Sequence, residues 1–132
     1  MPSRPHSVLV VDDHAVVREA LGHLVESTDG LAVWGTAVSG DDALAQLERT
    51  GAAGTARDGG PDVVVTDVRM PGTDGIELTA QVRTRWPALP CLVFSGQPSR
   101  PYAERALAAG AVAFVAKGDP TAIIRAILGA VA

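Results

Sequence analysis

The stretch Asp62-Val63-Val64-Val65-Thr66-Asp67-Val68-Arg69-Met70-Pro71-Gly72-Thr73-Asp74-Gly75 decides the fold. Three consecutive valines are β-branched and apolar, as a strand buried on both faces requires. They carry one carboxylate, Asp67, to the strand's carboxyl end. Pro71 and Gly72 then turn the chain, and Asp74 with Glu77 makes a cap-like pair that opens a helix. A charge directly after a hydrophobic run lies at a core's edge, where it must be solvated, paired or bound to metal.

Outward from this stretch, the same strand–helix unit recurs. Ser7–Val11 reads as a first buried strand ending in Asp12 and Asp13. Val16, Val17, Ala20, Leu21, Leu24 and Val25 then form one stripe of an amphipathic helix stopped at Gly30. Leu31–Ala37 is a second strand, and Ser39 caps a helix carrying Ala43, Leu44 and Leu47. Thr50–Gly60, rich in glycine and alanine, reads as a flexible loop. Leu78, Val82 and Trp86 stripe the helix that Pro87 ends. Cys91–Phe94 is a fourth strand, followed by Ser95. Pro98 and Pro101 bracket the start of a helix whose Ala103, Ala106 and Leu107 face inward, with Gly110 as its stop. Val112–Ala116 is a fifth strand, followed by Lys117, and Ile123, Ile124, Ile127, Leu128 and Val131 stripe the last helix. Five alternations predict an α/β fold with a parallel sheet covered by helices on both faces.

The chain has 132 residues, the length of one domain, 1–132, with a sizeable core. A net charge of −4 argues against a nucleic-acid or anionic-membrane surface on this chain. The single cysteine, Cys91, excludes a disulfide framework and suits a reducing, cytoplasmic setting. Neither a signal peptide nor a membrane span is legible. The chain ends with its last helix, as expected of either an excised domain or a single-domain protein.

In open parallel sheets, ligands bind beyond the carboxyl ends of the strands. That rim receives Asp12 and Asp13 from the first strand, Asp67 from the third, Ser95 from the fourth and Lys117 from the fifth. Taken singly, each has a plainer explanation: Asp12 and Asp13 as helix caps, Asp67 as a turn residue, Lys117 as a solvated lysine. Their convergence on one rim argues for a site. Two carboxylates about 4 Å apart repel by roughly 4 kcal/mol at an effective dielectric near 20, so the group requires a proton or cation. Oxygen ligands in small number suit Mg2+. With an ammonium and a hydroxyl nearby, such a site fits a phosphoryl group, and Asp67 is the natural nucleophile.

The segments Val10-Val11-Asp12-Asp13, Thr66-Asp67-Val68-Arg69-Met70-Pro71-Gly72-Thr73-Asp74-Gly75, Phe94-Ser95-Gly96 and Phe114-Val115-Ala116-Lys117 together resemble the receiver domain of bacterial two-component response regulators. Asp12-Asp13-His14 and Lys117-Gly118-Asp119 are most similar to the NarL/FixJ subfamily. The resemblance runs from about Ser7 onward. It implies a flavodoxin-like (βα)5 three-layer sandwich with strand order 2-1-3-4-5. It further implies that Asp67 accepts phosphate from a sensor histidine kinase. Asp12, Asp13, Asp67 and the backbone carbonyl of Arg69 would hold Mg2+, and Lys117 would pair with the phosphoryl group. Ser95 would be the switch hydroxyl and Phe114 the aromatic that turns inward with it. Homodimerisation on phosphorylation, and transcriptional control through a DNA-binding output domain outside this chain, are further expectations.

Gly118 stands where many receivers have proline, and Phe114 lacks the hydroxyl of the commoner tyrosine. Arg69 is expected either to pair with a site carboxylate or to crowd the attacking water. Tyr102, Ala106, Ala109 and Ala113 are expected to line the face that changes on activation. His14 reads as exposed packing at a helix start, His6 and His23 as surface or structural residues, and Trp34, Trp86 and Cys91 as buried or half-buried. A haloacid-dehalogenase-type phosphohydrolase would have a second acid at position 69, where Arg69 stands, and a flavodoxin would have a hydroxyl-rich loop in place of Asp12-Asp13-His14. The chain thus reads as a phosphorylation switch and not as a turnover enzyme. The alternative is a degenerate or single-domain receiver acting as a protein-interaction module.

Overall fold

The computed structural model describes residues 4–50 and 59–132. The chain runs β1 (His6–Val11), α1 (Ala15–Glu26), β2 (Leu31–Ala37), α2 (Gly40–Arg49), β3 (Val63–Asp67), α3 (Gly75–Arg85), β4 (Cys91–Ser95), α4 (Arg100–Ala109), β5 (Ala113–Ala116) and α5 (Pro120–Val131). All strand pairs are parallel, in the order β2-β1-β3-β4-β5. This is the flavodoxin-like order. The expectation for the loop Thr50–Gly60 falls largely on residues 51–58, outside those described.

Strand alternation divides the core between the two faces. Val8 and Val10 of β1, with Val63, Val65, Leu92 and Phe94, pack on Leu21 and Val25 of α1 and Ile123 and Ile127 of α5. Leu9, Val11 and Val64 face the other way, onto Leu44 and Leu47 of α2 and Leu78 and Val82 of α3. Because β1, β3 and β4 are covered on both sides, their sequences are continuous apolar runs without polar alternation. A smaller cluster of Val68, Ile76, Val93, Ala106 and Ala111 seats α4, with Tyr102 and Phe114 packed against it. Between β1 and β2 the register skips Trp34, whose indole N–H donates to the Gly59 carbonyl at 2.7 Å.

Helix starts follow the capping residues. Ser39 accepts from the Asp42 amide, Asp74 from Glu77, Ser99 from Tyr102 and Asp119 from Ala122. Four apolar positions expected in buried stripes, Val16, Ala20, Leu107 and Leu128, are exposed instead. Leu107 and Leu128 sit about 100° round their helices from the fully buried Ala106 and Ile127, which take the places against the sheet. Val16 borders an apolar groove of about 390 Å³ between α1 and α5. The fifth strand begins at Ala113, and Val112 is half-exposed before it. No helix among the described residues is long and apolar enough to cross a membrane.

Candidate functional site

The carboxyl ends of β1, β3, β4 and β5 bring Asp12, Asp13, Asp67, Ser95 and Lys117 to one rim, as their places in the sequence imply. Register does this. Asp67 pairs with Phe94, the residue before Ser95, and Ser95 pairs with Ala116, the residue before Lys117. The Lys117 amide donates to the Ser95 carbonyl at 2.8 Å, which fixes the lysine where it leaves the sheet. Asp12, Asp67 and Ser95 are buried, whereas Asp13 is exposed.

Lys117, the chain's one lysine, joins the two buried acids. Its Nζ lies 2.8 Å from Asp12 Oδ2 and 3.0 Å from Asp67 Oδ2. Asp12 is fully buried, and the Lys117 ammonium is the charged partner of its Oδ2. A buried carboxylate without a cation would be costly, and Lys117 supplies that charge. Burial and the neighbouring Asp12 charge raise the Asp67 carboxyl above its ordinary value, against hydrogen bonds from Lys117 and from the Arg69 backbone that lower it. For Lys117, burial favours the neutral amine. The hydrogen bonds and charges of Asp12 and Asp67 outweigh it, and its pKa is raised.

Two short-range constraints shape the loop after Asp67. Thr66 Oγ1 donates to the Asp67 carbonyl at 3.0 Å, and the Gly75 amide donates to the Val68 carbonyl at 2.9 Å. The start of α3 is thereby drawn so close that a Cβ on Gly75 would lie 1.8 Å from the Asp67 carbonyl oxygen. Beside the acids opens a cleft of about 470 Å³ lined by Asp13, His14, Arg69, Met70, Asp74 and Tyr102, among others.

Two readings from sequence need correction. The Arg69 guanidinium pairs with no site carboxylate. It donates through Nε to the Tyr102 hydroxyl at 2.8 Å, and through Nη2 to the same oxygen, with its cation 5.2 Å from the ring centroid. Tyr102 offers an uncharged acceptor on α4 within the reach of the β3–α3 loop. His14 does more than pack at a helix start. Although its side chain is 62% exposed, Nδ1 lies 2.9 Å from Asp12 Oδ1 and 3.2 Å from Asp13 Oδ1. Its position directly after the two acids, at the N-cap of α1, turns the ring back over them. The sequence contained that signal in the adjacency of the three residues. Arg18 was also missed: its Nη1 donates to the Asp12 carbonyl at 2.8 Å, bracing the chain at the end of β1. Asp12 does not cap α1; its Oδ1 accepts from the amide and ring of His14, one residue before the helix.

The fold and this rim define a class: a parallel α/β domain with a carboxylate–lysine cluster at the strand ends. Residues 8–128 match the response regulator receiver domain, and the chain belongs to that family. It is 37% identical over 111 residues to the response regulator GacA of Pseudomonas viridiflava, covering 84% of this chain and 48% of GacA. BvgA of Bordetella pertussis, named for positive transcription regulation of virulence factors, is 37% identical over 114 residues, 86% of this chain and 50% of BvgA. The signal receiver domain of NarL from Mycobacterium tuberculosis superposes with a TM-score of 0.84 at 29% identity, with 98% of each chain covered. The chain spans about half the length of the curated relatives it matches. It is a receiver domain of two-component signalling, similar to those of NarL-type regulators. Such domains are phosphoryl-accepting switches that bind Mg2+ in an acidic pocket and are phosphorylated by histidine kinases.

Proposed function

We propose that this domain works in the cytoplasm and that Asp67 is the phosphoacceptor, taking its phosphoryl group from the phosphohistidine of a sensor histidine kinase. The observation that carries this reading is the Lys117 ammonium held between the buried Asp12 and Asp67 carboxylates. In the transfer, an Asp67 oxygen forms a bond to phosphorus as the phosphorus–nitrogen bond breaks, and the imidazole leaves. Lys117 exchanges its contact with Asp67 for one with a phosphoryl oxygen, countering the added charge. Asp12, Asp13, Asp67 and the Arg69 carbonyl would hold Mg2+, and the convergence of the three acids, with ligand atoms within 4.8 Å of one another, supports that fit. The cation supplies charge neutralisation for the transferred group.

The phosphoryl group then recruits the Ser95 hydroxyl, which now accepts from the Gln97 amide at 3.1 Å. Movement of Ser95 makes room for Phe114 to turn inward against the α4 cluster, a shift between two populated arrangements. Residues 1–132 act as one switch domain without turnover of a separate substrate. Its output is transcriptional control through a DNA-binding domain beyond this stretch, with phosphorylation favouring a homodimer. The name of BvgA supports the transcriptional part.

Intact-mass spectrometry after incubation with acetyl phosphate and Mg2+, or with a panel of phosphorylated kinases, tests the assignment. A hydroxylamine-sensitive phosphate adduct is expected, absent in Asp67→Asn and absent with EDTA. Failure with every donor would leave the interaction-module reading in its place.

A further inference from the structure

Arg69 ties Asp67 to α4 through the two ends of one residue. Its backbone hydrogen-bonds to the Asp67 carboxylate, while its side chain crosses to the Tyr102 hydroxyl. The guanidinium donates to that oxygen through Nε at 2.8 Å and also through Nη2. Among the described residues it meets no carboxylate, so its charge rests on a neutral oxygen and on the tyrosine ring, 5.2 Å away. A second cation, Arg105, lies 5.9 Å from the same ring, so two like charges share Tyr102. The helix held in this way is weakly seated: Ala106 is the one buried residue of α4, against five in α3. A helix with so little burial opens at low cost, and a side-chain clasp on its first turn then counts.

We propose that the Arg69–Tyr102 contact is a latch that holds α4 in its resting arrangement, and that phosphorylation of Asp67 opens it because the phosphoryl group takes the guanidinium from the tyrosine. The inference rests on Asp67 being the phosphoacceptor. The exchange follows from the two acceptors. A phenol oxygen is neutral, whereas a phosphoryl oxygen is charged, and a guanidinium binds it about twice as strongly, through two N–H groups at once. Arg69 and Asp13 line the same cleft, so the guanidinium need only turn within it, and no covalent bond changes. Release of Tyr102 loosens the cluster that it shares with Phe114 under α4. A contact present only at rest opposes activation, so the latch sets how far the domain responds to a given phosphoryl load.

The test measures the affinity for beryllofluoride, a stand-in for the phosphoryl group, with Mg2+ present. It compares the full chain, Tyr102→Phe, Arg69→Ala and the double variant by calorimetry. Phenylalanine keeps the ring and deletes the hydroxyl alone. Losing one net hydrogen bond of the resting state should make Tyr102→Phe bind about 3- to 10-fold more tightly than wild type. In the Arg69→Ala background the same substitution should change affinity by less than about twofold, since no guanidinium remains to be held. Amide exchange gives a second readout: α4 of Tyr102→Phe should exchange about 3- to 10-fold faster than wild type without beryllofluoride, and at the wild-type rate with it. A tyrosine with a merely structural role would speed exchange equally in both states. Equal affinities of wild type and Tyr102→Phe, or the same gain persisting in Arg69→Ala, would overturn the latch and leave Asp67 as the acceptor. Wild type that binds no beryllofluoride and takes no phosphate from acetyl phosphate would overturn both.

Discussion

Replacing Gly75 by alanine places a methyl carbon 1.8 Å from the Asp67 carbonyl oxygen and 2.8 Å from its carbonyl carbon. Close carbon–oxygen contacts in proteins settle near about 3.3 Å, so the start of α3 and the end of β3 would have to part by roughly 1.5 Å. Both partners are backbone, and no rotamer change relieves the clash. Overpacking of this kind costs about 1–3 kcal/mol, and the rigid geometry points to the upper end. Alanine's helix propensity returns at most about 1 kcal/mol, and less in a first turn. The net expectation is a loss of about 2 kcal/mol. With a urea slope near about 1.5 kcal/mol/M, the midpoint should fall by a little over about 1 M. Gly129→Ala is the control of opposite sign. That glycine lies in α5, exposed, with nothing within 4 Å of an added Cβ, so stability should rise by up to about 1 kcal/mol. Urea unfolding followed by circular dichroism in EDTA reads both. The displaced Asp67 should also accept phosphate more slowly from acetyl phosphate. A Gly75→Ala midpoint at or above wild type, with Gly129→Ala behaving as described, would refute the packing argument.

Three further expectations concern ionisable groups. Asp67 has its carboxyl raised above 3.8 by burial, so its charge costs stability once pH exceeds the folded value. Without metal, Asp67→Asn should therefore have a higher Tm than wild type at pH 7; the advantage should vanish in acid below 3.8, and a lower Tm at pH 7 would contradict the reasoning. Lys117 has a pKa raised above 10.5, so its ion pairs stabilise fully below that pH and are lost as pH climbs through the folded value. Lys117→Met should lack this alkaline loss, which thermal melts from pH 8 to above 11 would register. Burial pushes the Cys91 thiol up to about 12, and the native protein should resist a thiol-disulfide reagent at pH 8 while the unfolded chain reacts with one equivalent. Rapid stoichiometric labelling of the native state would count against that burial.

Much of this architecture is legible in the linear pattern because buried parallel strands leave a coarse mark. Val8–Val11, Val63–Val65 and Cys91–Phe94 are apolar on both faces, and polar residues follow them at the strands' carboxyl ends. The exposed Leu107 and Leu128 were misread for a related reason. A stripe drawn from apolar residues alone cannot tell which of two neighbours meets the sheet, and small Ala106 permits the close approach of α4 where leucine would not fit.

The order of residues by itself determined the class of fold, the strand ends and the candidate acids, lysine and hydroxyl, since each rests on local hydrophobicity and position along the chain. Tertiary structure alone decided their partnerships. It set Lys117 between Asp12 and Asp67, residues 105 and 50 positions away, because parallel register aligns the strand ends. It sent Arg69 to Tyr102 on α4, since a long flexible side chain goes to the acceptor that packing places within reach. It also turned His14 from a surface residue into a neighbour of the acids, through a backbone turn at the helix N-cap that residue type does not specify.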